Sequence, residues 1–340
     1  KKMNVISIPR DSRVELAGGH GVEKINSAFA YGGPELAVKT VEQNFGVHVD
    51  DYLVINTQGV RDVVNALGGI DLYVDKPMHY KDYSAKLFIE LEPGQHHLTG
   101  EEAEGYVRYR HDALGDIGRI RRQQIFAGAV LHKLKDPTAL LALPNVLEVS
   151  KKYLLTSMSN TDLVSIAAFA KNVPFNEVNL ATLPGSSGMS GGGSYWFVNA
   201  DMATQVLKRL MTGYVPSPST TDKTGSTKLP SVGILYTNKH KADMQQLDAL
   251  LTKEGYRVVC KTRNIAHPTQ VIVHNMAQSN ASADKLRALS PLVSDSQLIF
   301  SPHGSTFDTN SCASTDYTLI LGDNTRALTS NDLPQTNASH

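Results

Sequence analysis

Between Gly105 and Gln124 the chain reads GYVRYRHDALGDIGRIRRQQ. Arg108, Arg110, Arg119, Arg121 and Arg122 fall in this one stretch, together with Asp112, Asp116 and the pair Gln123–Gln124. The whole protein carries 33 basic and 33 acidic residues, so the arginines are a local excess and not part of a general basic character. Guanidinium is planar, stays charged and meets phosphate oxygens two at a time. The chemistry this density suits is the holding of a compact anion, phosphate first. The other reading is a solvated, charge-laced helix face. On a helix Arg119, Arg122 and Gln123 stand at i, i+3 and i+4 and share a face, whereas Arg121 points elsewhere and is expected in solvent. If Arg108 and Arg110 lie in extended backbone, their spacing of two puts both on one side. Two elements would then converge four cations on one spot.

The elements around the stretch must do the positioning. Thr99-Gly100-Glu101-Glu102 matches a capping box, which starts a helix that runs into Arg108. Apolar or small residues at 117, 120, 127, 131 and 134 keep a helical period from Ile117 to Leu134. Upstream, Asn4–Ile8 reads as a strand stopped by Pro9, which presents Arg10-Asp11-Ser12 at its tip. Pro34 suits the first turn of a helix through Leu36, Val38, Val41 and Phe45, closed by Gly46. Strands are expected at Tyr52–Asn56, Ile70–Val74, Leu87–Leu91 and Val178–Leu183. Helices are expected at Gly59–Leu67, Thr138–Lys152, Asp162–Lys171 and Asp201–Met211. Pro93-Gly94 reads as a turn, and Pro184–Tyr195, rich in Gly and Ser, as a flexible loop.

Tyr214–Pro230 (YVPSPSTTDKTGSTKLP) has linker composition. Beyond it, strands at Ser231–Tyr236, Tyr256–Lys261, Thr269–His274 and Asp316–Leu321 alternate with helices at Ala242–Glu254 and Ala281–Leu289, the pattern of a small α/β domain. The division is therefore 1–214, a linker at 215–230, a second domain at 231–326 and a polar tail at 327–340.

The 41% apolar and 19% charged content is that of an ordinary globular chain, and the charge balance gives no footprint for duplex nucleic acid. No run of about 18 apolar residues is present to span a bilayer. The 12 histidines never take zinc-site spacing, no Gly-x-Ser-x-Gly elbow has partners, and the Ser186–Gly193 stretch lacks the lysine of a phosphate loop. Cys260 and Cys312 lack metal-ligand spacing, and a disulfide and two buried thiols both stay open.

The order of the pieces narrows the reading. Ser7-Ile8-Pro9-Arg10-Asp11-Ser12 is followed by Lys24-Ile25-Asn26-Ser27-Ala28 with Tyr31-Gly32-Gly33. Then come Leu67-Gly68-Gly69-Ile70, Pro93-Gly94 with Leu98-Thr99-Gly100, Arg108-Tyr109-Arg110, and Gly115-Asp116-x-Gly-Arg119-x-x-Arg122-Gln123. Over roughly Lys1 to Tyr214 this series resembles the LytR-CpsA-Psr (LCP) family. The segment after the linker is more distantly similar to the small C-terminal domain that accompanies some members.

The resemblance implies an α/β fold with a mixed central sheet flanked by helices, followed by a small α/β C-terminal domain. It implies a phosphotransferase on the extracytoplasmic face of the cell membrane. Such an enzyme moves an anionic glycopolymer (teichoic acid, capsule or a related polysaccharide) from a polyprenyl-pyrophosphate carrier to peptidoglycan through a phosphodiester, with Mg²⁺ on the pyrophosphate. Other functions in view are a polyprenyl-pyrophosphate-binding or pyrophosphatase protein and a non-catalytic envelope regulator. Carried onto this sequence, Arg108, Arg110, Arg119, Arg122 and Asp116 form the catalytic set. Arg10, Lys24 and Gln123 complete the pyrophosphate shell, Asp11 is the metal ligand, and Phe29, Phe88 and Phe126 are candidates for the lipid cavity. Asp116 either orients an arginine or accepts the proton of the incoming hydroxyl. Family members carry a Ser-Asp-Thr strand upstream of Pro-Arg-Asp, and its Asp also holds the metal. This chain starts after that point, so an upstream extension with that strand and a membrane anchor is expected, as is weakened metal binding for the chain as given.

Overall fold

The computed structural model describes residues 2–84, 86–110, 115–136, 139, 142, 146, 148, 152–174, 177–212, 229–263, 269–275, 280–294, 296–301, 312 and 314–322. Most of the helix expected at 138–152, most of the 215–230 linker and the 327–340 tail lie outside them. Residues Ser7–Pro174 and Gly185–Asn199 form one compact unit, and Lys2–Ile6, Phe175–Pro184 and the chain from Ala200 form a second. Among the described residues no helix is long and apolar enough to cross a membrane.

The first strand, β1 (Met3–Ser7), is followed by the hairpin of β2 (Arg13–Leu16) and β3 (Gly21–Lys24) and by α1 (Ile25–Phe45). α1 breaks helical geometry at Gly32 and Gly33, the latter at φ 65°, before Pro34 restarts it. Gly46 at φ 62° ends it in the left-handed cap that glycine alone adopts without a steric penalty. Val14, Leu16, Ile25 and Ala28 form the core beneath this helix.

Next come β4 (Leu53–Ile55) and α2 (Thr57–Ala66), whose first turn is capped by the Asn56 side chain. Then β5 (Ile70–Val74), β6 (Met78–Asp82), β7 (Leu87–Leu91) and β8 (Gly94–Leu98) pair as β5–β8 and β6–β7, both antiparallel. The sequence reading missed β6 and β8. Their segments, MHYKD and GQHHL, are too polar on the outward face to register as strands by apolar alternation.

The capping box at Thr99 and Glu102 is formed and opens α3 (Gly100–Arg108); α4 (Gly115–Lys133) follows. β9 (Leu154–Thr156) pairs with β4, and α5 (Asn160–Lys171) begins on a second capping box at Ser159. Val64, Ile70, Val74, Met78, Leu98, Ala103 and Tyr106 are the centre of this unit's larger core. After β10 (Val178–Thr182), which belongs to the second unit, β11 (Gly185–Ser190) and β12 (Gly193–Val198) form a regular antiparallel hairpin. That corrects the flexible loop expected there. Glycine and serine lower strand propensity, but the ladder runs in register from Gly185–Val198 to Ser190–Gly193 and Trp196 is buried.

The second unit continues with α6 (Ala200–Thr212), β13 (Ser231–Tyr236), α7 (Lys241–Lys253), β14 (Arg257–Arg263), β15 (Gln270–Val273), α8 (Asn280–Ala288), β16 (Gln297–Phe300) and β17 (Tyr317–Leu321). Its sheet has seven strands in the order β1-β10-β16-β15-β17-β13-β14, mixed in direction because β15 and β17 pair antiparallel while β10–β16, β16–β15, β17–β13 and β13–β14 pair parallel. β13, β15 and β17 are near-continuous apolar runs, as strands covered on both faces require. Val206 and Leu210 of α6, Leu247 and Leu251 of α7, and Ala283 and Leu286 of α8 pack against them. Asn4 ties β1 in place by donating to the Leu210 carbonyl and accepting from Asn179.

Cys260 of β14 and Cys312 are joined as a disulfide, with Cα atoms 5.5 Å apart. This settles the alternative left open by the sequence. The bridge lies over Gly233 of β13, where an added Cβ would sit 2.4 Å from the Cys312 Cβ. Only glycine leaves that room. The bridge spans 52 positions, and closing a loop of that size in the unfolded chain is worth about 2–4 kcal/mol. Replacing both cysteines with serine is expected to lower the unfolding free energy by that amount in guanidinium titrations. An unchanged midpoint would show that the bridge does not constrain the unfolded chain.

Candidate functional site

The turn at Pro9–Ser12 is fixed before any ligand arrives. Ser12 donates its backbone N–H at 3.0 Å and its hydroxyl at 2.7 Å to the Pro9 carbonyl. The carbonyls of Arg10, Asp11 and Ser12 accept from the N–H groups of Asn26, Trp196 and Ile25. The start of α1 and the strand β12 therefore hold this turn from two directions. Lys24, at the N-cap of α1, reaches Asp11 at 3.2 Å and sits 5.6 Å from the Tyr195 ring centre. Arg10 lies 3.6 Å from the same Asp11 oxygen.

The arginines of the central stretch converge, by a route different from the one expected. Arg108 is the last residue of α3 and not part of an extended segment. Tyr109 at ψ 133° then turns the chain, and Arg110 follows outside the helix. On α4, Arg119, Ile120, Gln123 and Phe126 share one face. Arg10, Arg108, Arg110, Arg119 and Gln123 all line a single cavity of about 880 Å³. Its wall also carries Ile8, Ile55, Val60, Leu87, Ile120 and Phe126, so one cavity combines cationic and apolar surface.

Other expected members lie elsewhere. Arg122 is buried, donates to the Tyr109 carbonyl and stacks 5.2 Å from the Tyr109 ring centre. It braces the turn that separates Arg108 from Arg110 and does not line the cavity. Arg121, expected in solvent, is partly buried. Burial pushes its pKa down, and the charge of Asp75 opposes that shift. Phe29 and Phe88 are 43% and 48% exposed and line no wall of the cavity. Phe88 is on the outward face of β7, edge-on to Tyr83, while its neighbour Leu87 faces inward, because successive strand residues alternate sides. Phe29 lies on an exposed part of α1. Asp116 is in the first turn of α4, but its side chain lies outside the described residues, as do His111 and Asp112.

The sequence did not disclose Asn56, Thr57, Tyr80 and Asp82, which also line the cavity. Tyr80 and Asp82 come from β6, the strand that was not recognised; Asp82 accepts from Tyr80 at 3.3 Å and from Ser84 at 2.6 Å. Arg61 and Glu104 were missed as well. Glu104 is buried on α3, and its Oε1 accepts from Arg108 Nη1 at 2.7 Å. Its Oε2 accepts from Nε and Nη2 of Arg61, on α2, at 3.0 and 2.6 Å. Burial acts to raise the Glu104 pKa, but the two guanidinium groups outweigh it and hold the carboxyl below its ordinary 4.5.

For a divalent cation, no group of three or more His, Cys, Asp or Glu suited to metal binding occurs among the described residues. Asp11 Oδ1 is buried without a hydrogen bond, and among the described residues its neighbours of opposite charge are Lys24 and Arg10. Mg²⁺ needs as few as one or two carboxylates when phosphates and water complete its octahedron. The residues fit a single-carboxylate site that depends on the ligand for most of its shell.

A model of the LytR_cpsA_psr family matches residues 1–212. Regulatory protein MsrR of Staphylococcus aureus (strain COL) is 34% identical over 165 residues, 48% of this chain and 49% of that protein. The polyisoprenyl-teichoic acid–peptidoglycan teichoic acid transferase TagV of Bacillus subtilis (strain 168) is 30% identical over 230 residues, 65% of this chain and 58% of that protein. The transferase of the same description named TagU, from Bacillus cereus, is 32% identical over 60% of this chain and 66% of its own length. The chain thus spans about half to two thirds of the length of these curated relatives. The crystal structure of B. subtilis TagV superposes with a TM-score of 0.54 at 28% identity, over 62% of this chain and 84% of that one. A structure of TagT bound to LIIa-WTA gives 0.52 at 31% identity, over 61% and 77%.

A pH dependence follows from Glu104. Its folded pKa is depressed, so its contribution to stability is complete above the ordinary carboxyl value of 4.5 and is lost as pH falls through the lower folded value. Denaturant titrations at neutral pH and near pH 3 are expected to show the wild type losing more stability on acidification than Glu104→Gln. Equal losses would remove the carboxylate from the account.

Proposed function

The chain belongs to the LytR_cpsA_psr family, and we propose that it transfers an anionic glycopolymer from a polyprenyl-pyrophosphate carrier to peptidoglycan at the extracytoplasmic face of the membrane. The observation that carries this reading is the single cavity in which Arg10, Arg108, Arg110, Arg119 and Gln123 share the wall with apolar side chains. A lipid pyrophosphate has the matching two-part chemistry: a compact polyanion on a long hydrocarbon. The names of TagV and TagU, as teichoic acid transferases, agree with it. The Cys260–Cys312 bridge suits an oxidising compartment outside the cytoplasm.

In this reading a peptidoglycan hydroxyl attacks the phosphorus that carries the glycan. A P–O bond forms to the hydroxyl oxygen, the pyrophosphate P–O bond breaks, and polyprenyl phosphate leaves. The product is a phosphodiester, and the hydroxyl proton passes to a base, the role proposed for Asp116. Phosphoryl transfer of this kind depends mostly on positioning and on stabilising charge that builds on the oxygens. Arg108, Arg110, Arg119 and Arg10 supply fixed donors for those oxygens, with Gln123 as a neutral one. Phe126, Ile55 and Val60 exclude water along the carrier's hydrocarbon. When bound, Mg²⁺ would be held by Asp11 and would neutralise pyrophosphate charge.

A regulatory role without turnover is the second reading, favoured by the name of MsrR. Incubation with a polyprenyl-pyrophosphate glycan, Mg²⁺ and peptidoglycan oligomers separates the readings. A covalent glycan–peptidoglycan product is expected; release of free phosphate alone, or binding without turnover, would overturn transfer. Arg108→Ala and Arg119→Ala are each expected to lower turnover by about 10²–10³-fold with an unchanged circular dichroism spectrum. Normal activity in both variants would displace the site.

A further inference from the structure

A buried carboxylate between two guanidinium groups is a poor device for stability. Removing such charges from water costs several kcal/mol per ion, and a well-packed apolar side chain in the same place is often as good or better. Glu104 nevertheless sits on a face of α3 whose neighbours Ala103, Tyr106 and Val107 are core residues. Its two oxygens are divided between partners. Arg61 donates to Oε2 from both Nε and Nη2, which anchors that oxygen. Oε1 is thereby aimed at Arg108 Nη1, one helical turn further along α3.

The frame behind this triad is tight. An added Cβ on Gly100 would lie 2.1 Å from the Arg61 carbonyl oxygen, so α3 starts in direct contact with the backbone of α2. Asn65 of α2 accepts from the Gly100 N–H at 2.8 Å. Val60 of α2 and Arg108 of α3 both line the cavity, so what fixes one helix to the other also fixes two parts of its wall.

We propose that Glu104, oriented by Arg61, is a positioning residue that fixes the Arg108 guanidinium in the cavity wall in the geometry its phosphate contact needs. The proposal rests on the reading of this cavity as a pyrophosphate site. Arg108 reaches the anion with its orientation already set, so little side-chain entropy is lost on binding. The carboxylate also reduces the combined charge of Arg61 and Arg108 from two to one. Replacing it with a neutral amide raises the local positive charge while releasing the guanidinium, because glutamine has one acceptor oxygen for two donors. Affinity for the anion and the rate of its reaction should therefore separate.

The test uses the full chain with Glu104→Gln, Arg61→Leu, Arg108→Ala and the Glu104→Gln/Arg108→Ala double variant. Glu104→Gln is expected to lower kcat roughly 10- to 100-fold, the scale of a small misplacement, without raising KM. Arg61→Leu is expected to follow it in kcat. In the Arg108→Ala background, Glu104→Gln should cost nothing more, since it acts through that arginine. A loss that adds in full, or turnover within about twofold of wild type, overturns the proposal.

A second arm needs no turnover. With inorganic pyrophosphate as the probe, ¹⁵N relaxation of the Arg108 Nε–H is expected to show a rigid group in the wild type and a mobile one in Glu104→Gln. The α3 backbone amides should stay unchanged. Equal rigidity in both proteins overturns the proposal even if the wild type makes no transfer product. Absence of product alone counts against the transferase reading and not against the role of Glu104.

Discussion

Guanidinium groups repel one another, and four of them around one cavity hold their places only if the scaffold opposes that repulsion. In this protein the opposition comes from three directions. Glu104 ties Arg108 to Arg61 across two helices. Asp11 lies between Arg10 and Lys24 in a turn whose Arg10, Asp11 and Ser12 carbonyls are satisfied by α1 and β12. Arg122 spends its charge on the Tyr109 carbonyl and ring, and so shapes the turn between Arg108 and Arg110. Arg108 and Arg10 of the cavity wall thus depend on Glu104 and Asp11, which do not line it.

That dependence explains how much of the site could be read from sequence. Arg108, Arg110, Arg119 and Gln123 were legible because residue type and helical spacing are local properties. Their convergence was legible too, although α3 and not a strand delivers Arg108. The capping box at Thr99, the left-handed cap at Gly46 and the restart at Pro34 are likewise encoded within a few neighbouring residues. Arg122 was misplaced because i, i+3 and i+4 spacing defines a face but not where that face ends. Phe88 was misplaced by one position in a strand, where one position reverses the side.

What remained hidden was non-local or low in contrast. A glutamate in GEEAEGYVR looks like one more solvated charge until Arg61, 43 residues away, is found against it. Tyr80 and Asp82 belong to a strand whose polar outer face masked its period. The pairing of β11 with β12 is carried by backbone hydrogen bonds to which serine and glycine contribute no pattern. The disulfide could not be chosen from two cysteines alone, and the close approach at Gly233 is visible only once three segments are in place.

The seven-stranded sheet has a consequence for how the chain reaches its native state. β1 and β10 come from the first 182 residues, yet β10 is flanked in the sheet by β1 on one side and by β16, from Gln297–Phe300, on the other. During synthesis β10 therefore emerges with β1 already made but more than a hundred residues ahead of the neighbour on its other edge. Contacts this distant in sequence are slow to form, and a strand with one open edge is prone to self-association while it waits. β10, with five consecutive buried residues, is the segment at which a chaperone would have most to protect.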